Sequence, residues 1–244
     1  MTQKLLFLFI FSLLLGSSFT GSAQEKHGVK VVNDTAVYKE RYGLRIGIDL
    51  SRPARGFLDK KYSGLELGAD YRFNERFYPA IEIGYENFEY DENYFSAKSQ
   101  GSYAKLGVNY NAYKNWIGLQ NELYAGLRYG FSSFSEELHN FTIYDKDQYF
   151  PPDYREDSQK FSSLSGHWLE LQLGIKAEIM HNVFLGLHVE LKRLISSKNP
   201  DNFESLWIPG FNRHYDGSEF GIGWGYSISY LLPIYTKERK EVRK

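Results

Sequence analysis

Residues 122–131 read ELYAGLRYGF, a stretch in which apolar and polar side chains alternate one by one. A repeat of two residues places the two kinds of side chain on opposite faces of a β-strand. Leu123, Leu127 and Phe131 lie on the apolar face, whereas Glu122 and Arg128 lie on the other. The stretch therefore predicts a strand with one apolar and one charged face.

The same alternation recurs in seven further segments between residues 42 and 230. Their apolar faces start at Leu44, Leu65, Phe77, Ala104, Leu169, Leu185 and Phe220. Each segment has roughly the 9–11 residues of a tilted membrane strand. We therefore predict an all-β fold, a transmembrane up-and-down antiparallel β-barrel of eight strands. Local pairing of residues 141–144 and 203–208 would raise the number to ten.

Alternation alone leaves open which face lies inside, because a soluble eight-stranded barrel encloses its apolar face. One feature that favours an outward apolar face is a glycine on the polar face of every segment. These glycines are Gly47, Gly68, Gly84, Gly107, Gly126, Gly174, Gly186 and Gly223. Glycine weakens an exposed strand, whereas in a crowded lumen it makes room for long charged neighbours.

Loop lengths and aromatic residues favour the same orientation. The connections around Asn74, Lys114 and His181 are short and the others are longer and polar, as in outer-membrane barrels. Aromatic residues gather at the segment ends, as at lipid–water interfaces. The predicted belts are Tyr42, Tyr71, Phe73, Phe77, Tyr110 and Tyr230 on the short-turn side, and Tyr85, Tyr129, Phe131 and Phe220 on the loop side.

Composition excludes several classes of protein. The 244 residues carry a formal net charge of −1, which disfavours a nucleic-acid binder. The absence of cysteine excludes disulfides, thiol catalysis and cysteine-ligated metals. After the N-terminus no apolar run is long enough for a helical membrane span.

The N-terminus predicts export. Lys4 precedes an apolar run over residues 5–15, and the small residues Gly21 and Ala23 suit cleavage after Ala23. We therefore expect a signal peptide over residues 1–23 and a periplasmic segment over residues 24–41. The barrel then covers residues 42–235, a basic periplasmic tail covers residues 236–244, and the protein lies in the outer membrane.

The polar faces predict a charged lumen. Its members are Arg45, Asp49, Glu66, Asp70, Arg72, Glu82, Glu86, Lys105, Glu122, Arg128, Glu170, Lys176, His188, Glu190 and Lys192. Because charges in so narrow a space are costly unless paired, we expect ion pairs that fill the barrel. Pairing around His181 should bring Lys192 near Glu170 or Gln172. The alternative is a proton or cation path, and a wide pore is excluded.

The longest loop, over about residues 135–165, is a candidate binding surface. It mixes acids with the aromatic residues Tyr144, Tyr149, Phe150 and Tyr154. The acids lack the glycine and closing glutamate of a calcium loop, and we predict no metal site and no cofactor. Hydrolysis of lipid A acyl chains is an alternative function, for which Ser163, Ser165 and His167 are candidates without a distinctive spacing.

Four short stretches carry a family resemblance: residues 22–25 (SAQE), 71–73 (YRF), 82–86 (EIGYE) and 223–226 (GWGY). With them the chain resembles small outer-membrane barrels of Bacteroidota, including a family with only an unknown-function label, and the membrane half of outer membrane protein A. The resemblance implies contact with outer-membrane lipid and lipopolysaccharide, and with the barrel assembly machinery. The leading expectation is a non-enzymatic barrel with a structural or surface-interaction role, with an extracellular ligand or protein partner at the loops.

Overall fold

The computed structural model describes residues 30–32, 35–92, 95–113, 120–143, 153–155, 158–200, 205–213 and 218–242. Within these ranges the chain is built almost entirely of strands. The elements are β1 (Lys30–Val32), β2 (Thr35–Asp49), α1 (Ser51–Leu58), β3 (Tyr62–Tyr71), β4 (Phe77–Glu92), β5 (Phe95–Asn111), β6 (Glu122–Ile143), β7 (Asp153–Arg155), β8 (Gln159–Met180), β9 (Val183–Lys198), β10 (Trp207–Ile208), β11 (Asn212–Arg213) and β12 (Phe220–Val242).

Eight of these strands form a closed antiparallel ring. The neighbours follow the order β2-β12-β9-β8-β6-β5-β4-β3, and β3 pairs again with β2. The all-β antiparallel class and the predicted number of eight strands are therefore confirmed. Of the two segments expected to pair locally, residues 141–143 are the end of ring strand β6 and also pair with β7, while residues 207–208 form β10, which pairs with β11 outside the ring.

The strands are longer than the sequence pattern predicts. β6 and β8 have 22 residues each and β12 has 23. The connection between the third and fourth ring strands, expected as a long polar loop, is mostly a ladder that runs from Asn87↔Gln100 to Glu92↔Phe95. Buried Tyr90 and Ala97 on its inner side explain why the ladder continues beyond the predicted strand ends.

Parts of the stretches predicted to flank the barrel also belong to the ring. β2 begins at Thr35, and β12 continues to Val242, so that the pairing runs from Thr35↔Val242 to Arg41↔Thr236. The boundaries predicted for the N-terminal segment and for the basic tail therefore differ from the observed strands. Alternation in these stretches is mixed with charges, and the sequence pattern does not reveal that they pair with each other. The predicted signal peptide lies outside the described residues.

The ring has its apolar face outward. Leu106 is 66% exposed and Leu127 is 55% exposed, whereas Lys105, Glu170 and Lys192 are fully buried. The predicted orientation is therefore confirmed. A soluble barrel would place these two groups the other way round.

The outward face changes character along each strand. On β4 the outward residues are apolar from Phe77 to Tyr85 and polar from Asn87 onward. On β6 the outward residues are apolar from Leu123 to Phe131 and polar from Ser133 onward. We call the apolar part of this face the band. We call the polar part of β4, β5, β6 and β8 the extension (residues 87–91, 95–102, 133–142 and 159–165). The extension lies at the loop end, opposite the turn end with its short connections.

Most predicted belt residues are exposed at the edges of the band: Phe73, Phe77, Tyr85, Tyr110, Tyr129, Phe131, Phe220 and Tyr230. Tyr42 is an exception, because only 3% of it is exposed. Its ring stacks on Tyr235 at 5.3 Å and lies under the guanidinium of Arg72 at 4.2 Å. The assignment of Tyr42 to the outward belt was therefore wrong.

The helix α1 covers part of the loop end. Its eight residues turn Arg52 into the ring and leave Phe57 exposed. Among the described residues, no helix has the length and apolar character needed to cross a membrane.

Candidate functional site

The interior of the ring collects the predicted charged residues. All fifteen of them are buried or nearly so: Arg45, Asp49, Glu66, Asp70, Arg72, Glu82, Glu86, Lys105, Glu122, Arg128, Glu170, Lys176, His188, Glu190 and Lys192. The strand period explains this placement, because every second side chain of each ring strand points inward. The sequence pattern therefore locates the interior side chains, and the structure adds their partners.

Lys105 lies at the centre of the interior. Its Nζ is 2.8 Å from Glu82, 3.3 Å from Glu66, 3.4 Å from Glu190 and 3.5 Å from Glu170. These carboxylates come from four different strands, so one cation ties β3, β4, β8 and β9 to β5. A buried charge that lost this many partners would be strongly destabilising.

Two further cations complete the central cluster. Lys192 lies 2.8 Å from Glu190 and 3.8 Å from Glu170, its register partner across β8 and β9. This pairing confirms the expected approach of Lys192 to Glu170. Arg128 lies 3.1 Å from Glu82 and donates a hydrogen bond of 2.6 Å to Asn109.

A second cluster lies nearer the turn end. Arg45 contacts Asp70 at 2.7 Å and Glu122 at 2.8 Å, and Lys176 contacts Asp70 at 2.5 Å. The Arg45 guanidinium also lies 5.0 Å from the ring centre of Phe184. The interior is therefore crossed by paired charges at two levels rather than by an open channel.

Glycines let aromatic rings lie flat within this space. A Cβ at Gly84 would be 2.3 Å from the ring of Tyr103, and one at Gly130 would be 2.1 Å from the ring of Trp168. Any side chain at these positions would displace a buried ring. The prediction that glycines make room for charged neighbours holds at Gly223, where a Cβ would be 2.3 Å from Glu190.

A polar cavity of about 60 Å³ separates the two charge levels. His188 contacts Glu190 at 3.2 Å on one side of it. Asp49 and Ser229 line the cavity, and within the described part of the chain Oδ2 of Asp49 and Oγ of Ser229 have no hydrogen-bond partner. A polar cavity of this size has room for a few water molecules, which would satisfy these atoms.

The loop end is closed by residues 205–213, which we call the cap. Ile208 and Phe211 of the cap are fully buried and pack against Tyr103, Leu164 and Trp168. The sequence pattern predicts a long polar loop here and does not reveal the role of these residues. The signal was present, because Trp207, Ile208 and Phe211 are apolar residues around a Pro-Gly pair in an otherwise polar connection.

Glu86 fixes the cap to the charged interior. Its Oε2 accepts hydrogen bonds from the backbone N–H of Gly210 at 3.0 Å and from the indole of Trp207 at 3.3 Å. Its Oε1 pairs with Arg52 at 2.6 Å. Lys192 donates to the Gly210 carbonyl at 2.7 Å. Arg52 was missed by the sequence analysis because it belongs to α1, which carries no strand pattern.

Glu136 lies beneath the other side of the cap, beyond the band. It faces the N–H groups of Leu206 and Trp207 and the hydroxyl of Ser205, but neither carboxylate oxygen completes a well-aligned hydrogen bond. Burial raises its pKa to about 7, and these neighbouring donors offset part of the rise. The carboxyl group is therefore set to change charge near neutral pH.

The predicted external residues are described only in part. Tyr154 is exposed on β7, opposite Thr142 of β6. Tyr144, Tyr149 and Phe150 lie outside the described residues. No group of three or more metal-ligating side chains occurs in the described ranges.

His167 lies on the outward face at the loop-end edge of the band. Its Nδ1 is 2.8 Å from the hydroxyl of Tyr129, and its ring centre is 4.9 Å from that of Phe131. Within the described part of the chain no hydrogen bond joins His167 to Ser163 or Ser165. The structure thus brings this histidine to an aromatic pair rather than to a serine.

Comparison with known families gives one match. The model described as a domain of unknown function (DUF6048) matches residues 5–237, and no match is found among curated proteins. An origin in Bacteroidota and a likeness to outer membrane protein A stay predictions. Because the match covers nearly the whole sequence, the chain belongs to the DUF6048 family.

Proposed function

We propose that the protein is an outer-membrane β-barrel with a closed lumen that acts as a rigid scaffold for surface interactions. The observation that carries this proposal is the inverted distribution of side chains: an outward apolar band around interior charges. In water such a continuous apolar surface would be far larger than the patches that monomeric proteins expose. In a bilayer the same surface would contact lipid chains, which are apolar as well.

The dimensions of the band support insertion. The outward apolar run covers nine residues on β4 and on β6, from Phe77 to Tyr85 and from Leu123 to Phe131. A tilted strand crosses a bilayer in about 9–11 residues. Aromatic residues stand at both edges, as at the two lipid–water interfaces. With the signal peptide predicted over residues 1–23, this supports an outer-membrane location and contact with lipid, lipopolysaccharide and the barrel assembly machinery.

The filled interior argues against a pore. Lys105 and Lys192 are fully buried among carboxylates, and the cap covers the loop end. An ion would have to displace several pairs to pass. We therefore favour a structural or binding role over a narrow ion path or a lipid-modifying enzyme.

The extension supports a role in interactions outside the membrane. From Phe131 to Ile143, β6 continues for twelve residues, roughly 40 Å of strand. Its inner side packs on the cap and its outer side is polar, as in a water-soluble sheet. Such a rigid support would present Tyr154 and the adjacent loop to an extracellular ligand or protein.

Fractionation and conductance test the proposal together. In a Gram-negative host the full chain should sediment with outer membranes, resist carbonate extraction and migrate faster on gels before boiling. In planar bilayers it should give no discrete conductance steps. Recovery as a soluble periplasmic protein would refute the membrane assignment, and regular conductance steps would refute the closed lumen.

A further inference from the structure

A second pocket lies at the turn end, away from the central cluster. Its volume is about 70 Å³, and its walls include Arg72, Arg76 and Arg239 together with Glu40 and Glu75. Three guanidinium groups therefore face two carboxylates. The pocket has an excess of one positive charge.

The ion pairs of the pocket involve two of its three arginines. Glu40 pairs with Arg72 at 2.8 Å and with Arg239 at 3.0 Å, and Glu75 pairs with Arg239 at 3.2 Å. Among the described residues no carboxylate pairs with Arg76. Its Nη1 instead donates to the hydroxyl of Tyr110 at 3.3 Å, which directs the guanidinium along the pocket wall.

Arg72 contributes a buried donor without a partner. The residue is 93% buried, and its Nη1 and Nη2 donate to the Arg41 carbonyl and to Glu40 at 2.9 and 2.8 Å. Its Nε has no hydrogen-bond partner among the residues that the structure describes. Stacking on Tyr42 at 4.2 Å holds the guanidinium plane in place. A buried cationic N–H without a partner is costly, so an acceptor from outside the described residues would be favoured here.

We infer that this pocket binds a single carboxylate or phosphate group, held by Nε of Arg72 and by the guanidinium of Arg76. Guanidinium groups are the donors best matched to such anions. The volume equals the liquid share of two or three water molecules, which suits one anionic group. The inference rests on the ring itself and does not depend on insertion into a membrane.

Titration calorimetry with the full-length protein in an uncharged detergent at low salt tests the site. Inorganic phosphate and acetate serve as probes, because the site recognises the anionic group alone. The wild type should bind at least one of them saturably, with one site per chain. Arg76→Gln should weaken this binding at least about tenfold, since it removes a charge-assisted donor. Arg76→Lys keeps the positive charge but loses the planar guanidinium group. Its affinity for the anion should therefore lie between that of the wild type and that of Arg76→Gln.

The matched control is Arg193→Gln, because Arg193 is an exposed arginine at the loop end, 3.3 Å from Glu219. This variant should bind the probes like the wild type. Arg76 is exposed, and among the described residues its side chain hydrogen-bonds to Tyr110 alone, so its variants should unfold at the wild-type temperature. No saturable binding by the wild type, or equal loss in both glutamine variants, would overturn the inference.

A short-chain phosphatidylglycerol in the same micelles separates the two sources of the anion. Competition by this lipid at matched phosphate concentration would assign the site to a lipid headgroup. Binding of the free anions without such competition would assign it to a soluble ligand. Both results support an anion site, and they differ only in what carries the anion.

Discussion

The ring strands behave in opposite ways in their two halves. In the band, apolar side chains point outward and charged ones such as Lys105 and Glu170 point inward. In the extension, serine, lysine and glutamate point outward, while Phe134, Leu164 and the cap form an apolar core. The change occurs within two residues on β6, between Phe131 and Ser133. One continuous strand therefore carries the pattern of a membrane protein and then that of a soluble one.

The comparison shows that alternation of apolar and polar residues predicts a strand with two different faces. Whether the apolar face points inward or outward depends on whether the strand is surrounded by water or by lipid. A strand in water buries its apolar face, and a strand in lipid exposes it. Under the proposed insertion into a membrane, the point of change along each strand would mark the edge of the lipid contact. The variants below probe the two halves separately, from the largest expected effect to the smallest.

Removal of the central cation should have the largest effect. Lys105→Met leaves the carboxylates of Glu66, Glu82 and Glu190 without their shared partner, which we expect to cost about 3–5 kcal/mol. Urea unfolding in detergent, followed by the gel shift on heating, measures the loss. The control is Lys98→Met in the extension, whose exposed pair with Glu89 should contribute less than about 1 kcal/mol. Equal losses would contradict a central role for Lys105.

Truncation of the cap tests the apolar core of the other half. Phe211→Ala removes a fully buried ring that packs on Trp168 at 6.1 Å between ring centres, and should cost about 3–4 kcal/mol. Protease cleavage within residues 205–213 should also become faster. If cleavage and stability both match the wild type, the cap does not close the ring.

A charge in the band should be costly only in lipid. Leu127→Arg, at the middle of the outward run on β6, should destabilise the protein in vesicles by about 2–4 kcal/mol. The matched variant Ser133→Arg, three positions along the same outward face, should be nearly neutral. Similar costs at the two positions, measured by urea unfolding in vesicles, would remove the distinction between band and extension.

Glu136 should give a pH dependence to the extension. Its pKa is raised to about 7 by burial, so the neutral form is favoured in the folded protein. The stability it contributes is fully present below its ordinary pKa of 4.5 and is lost as the pH rises toward 7, a change of roughly 1–3 kcal/mol. Glu136→Gln should abolish this change. Thermal unfolding of both proteins from pH 4 to pH 8 measures it, and parallel curves would argue against the assignment.

The sequence predicts the ring better than its ends. The two-residue period of the eight segments predicts the strands and the side of each strand that carries the charges. The glycines, loop lengths and aromatic residues predict that this side faces inward, where the fifteen charges are found. The short turn at His181 limits the register between β8 and β9, so the sequence predicts Lys192 near Glu170 or Gln172, and in the structure its register partner is Glu170.

The cap and the turn-end pocket could not be predicted in this way. Both depend on contacts between residues far apart in sequence, such as Gly210 with Glu86 and Arg239 with Glu40. Neither Arg52 nor Glu40 belongs to a segment whose period reveals the inward face. The role of these residues depends on ring closure, which brings the start of β2 beside the end of β12.

Cysteine accessibility along β6 tests the central claim most directly. The natural chain has no cysteine, so a substitution at Leu123, Leu127, Phe131, Ser133 or Ser135 introduces a unique thiol on the outward face. In native membranes a water-soluble maleimide should label the two serine positions and leave the three band positions unlabelled until detergent and denaturant are added. Uniform labelling of all five positions before denaturation would show that the band lies in water and would contradict the account.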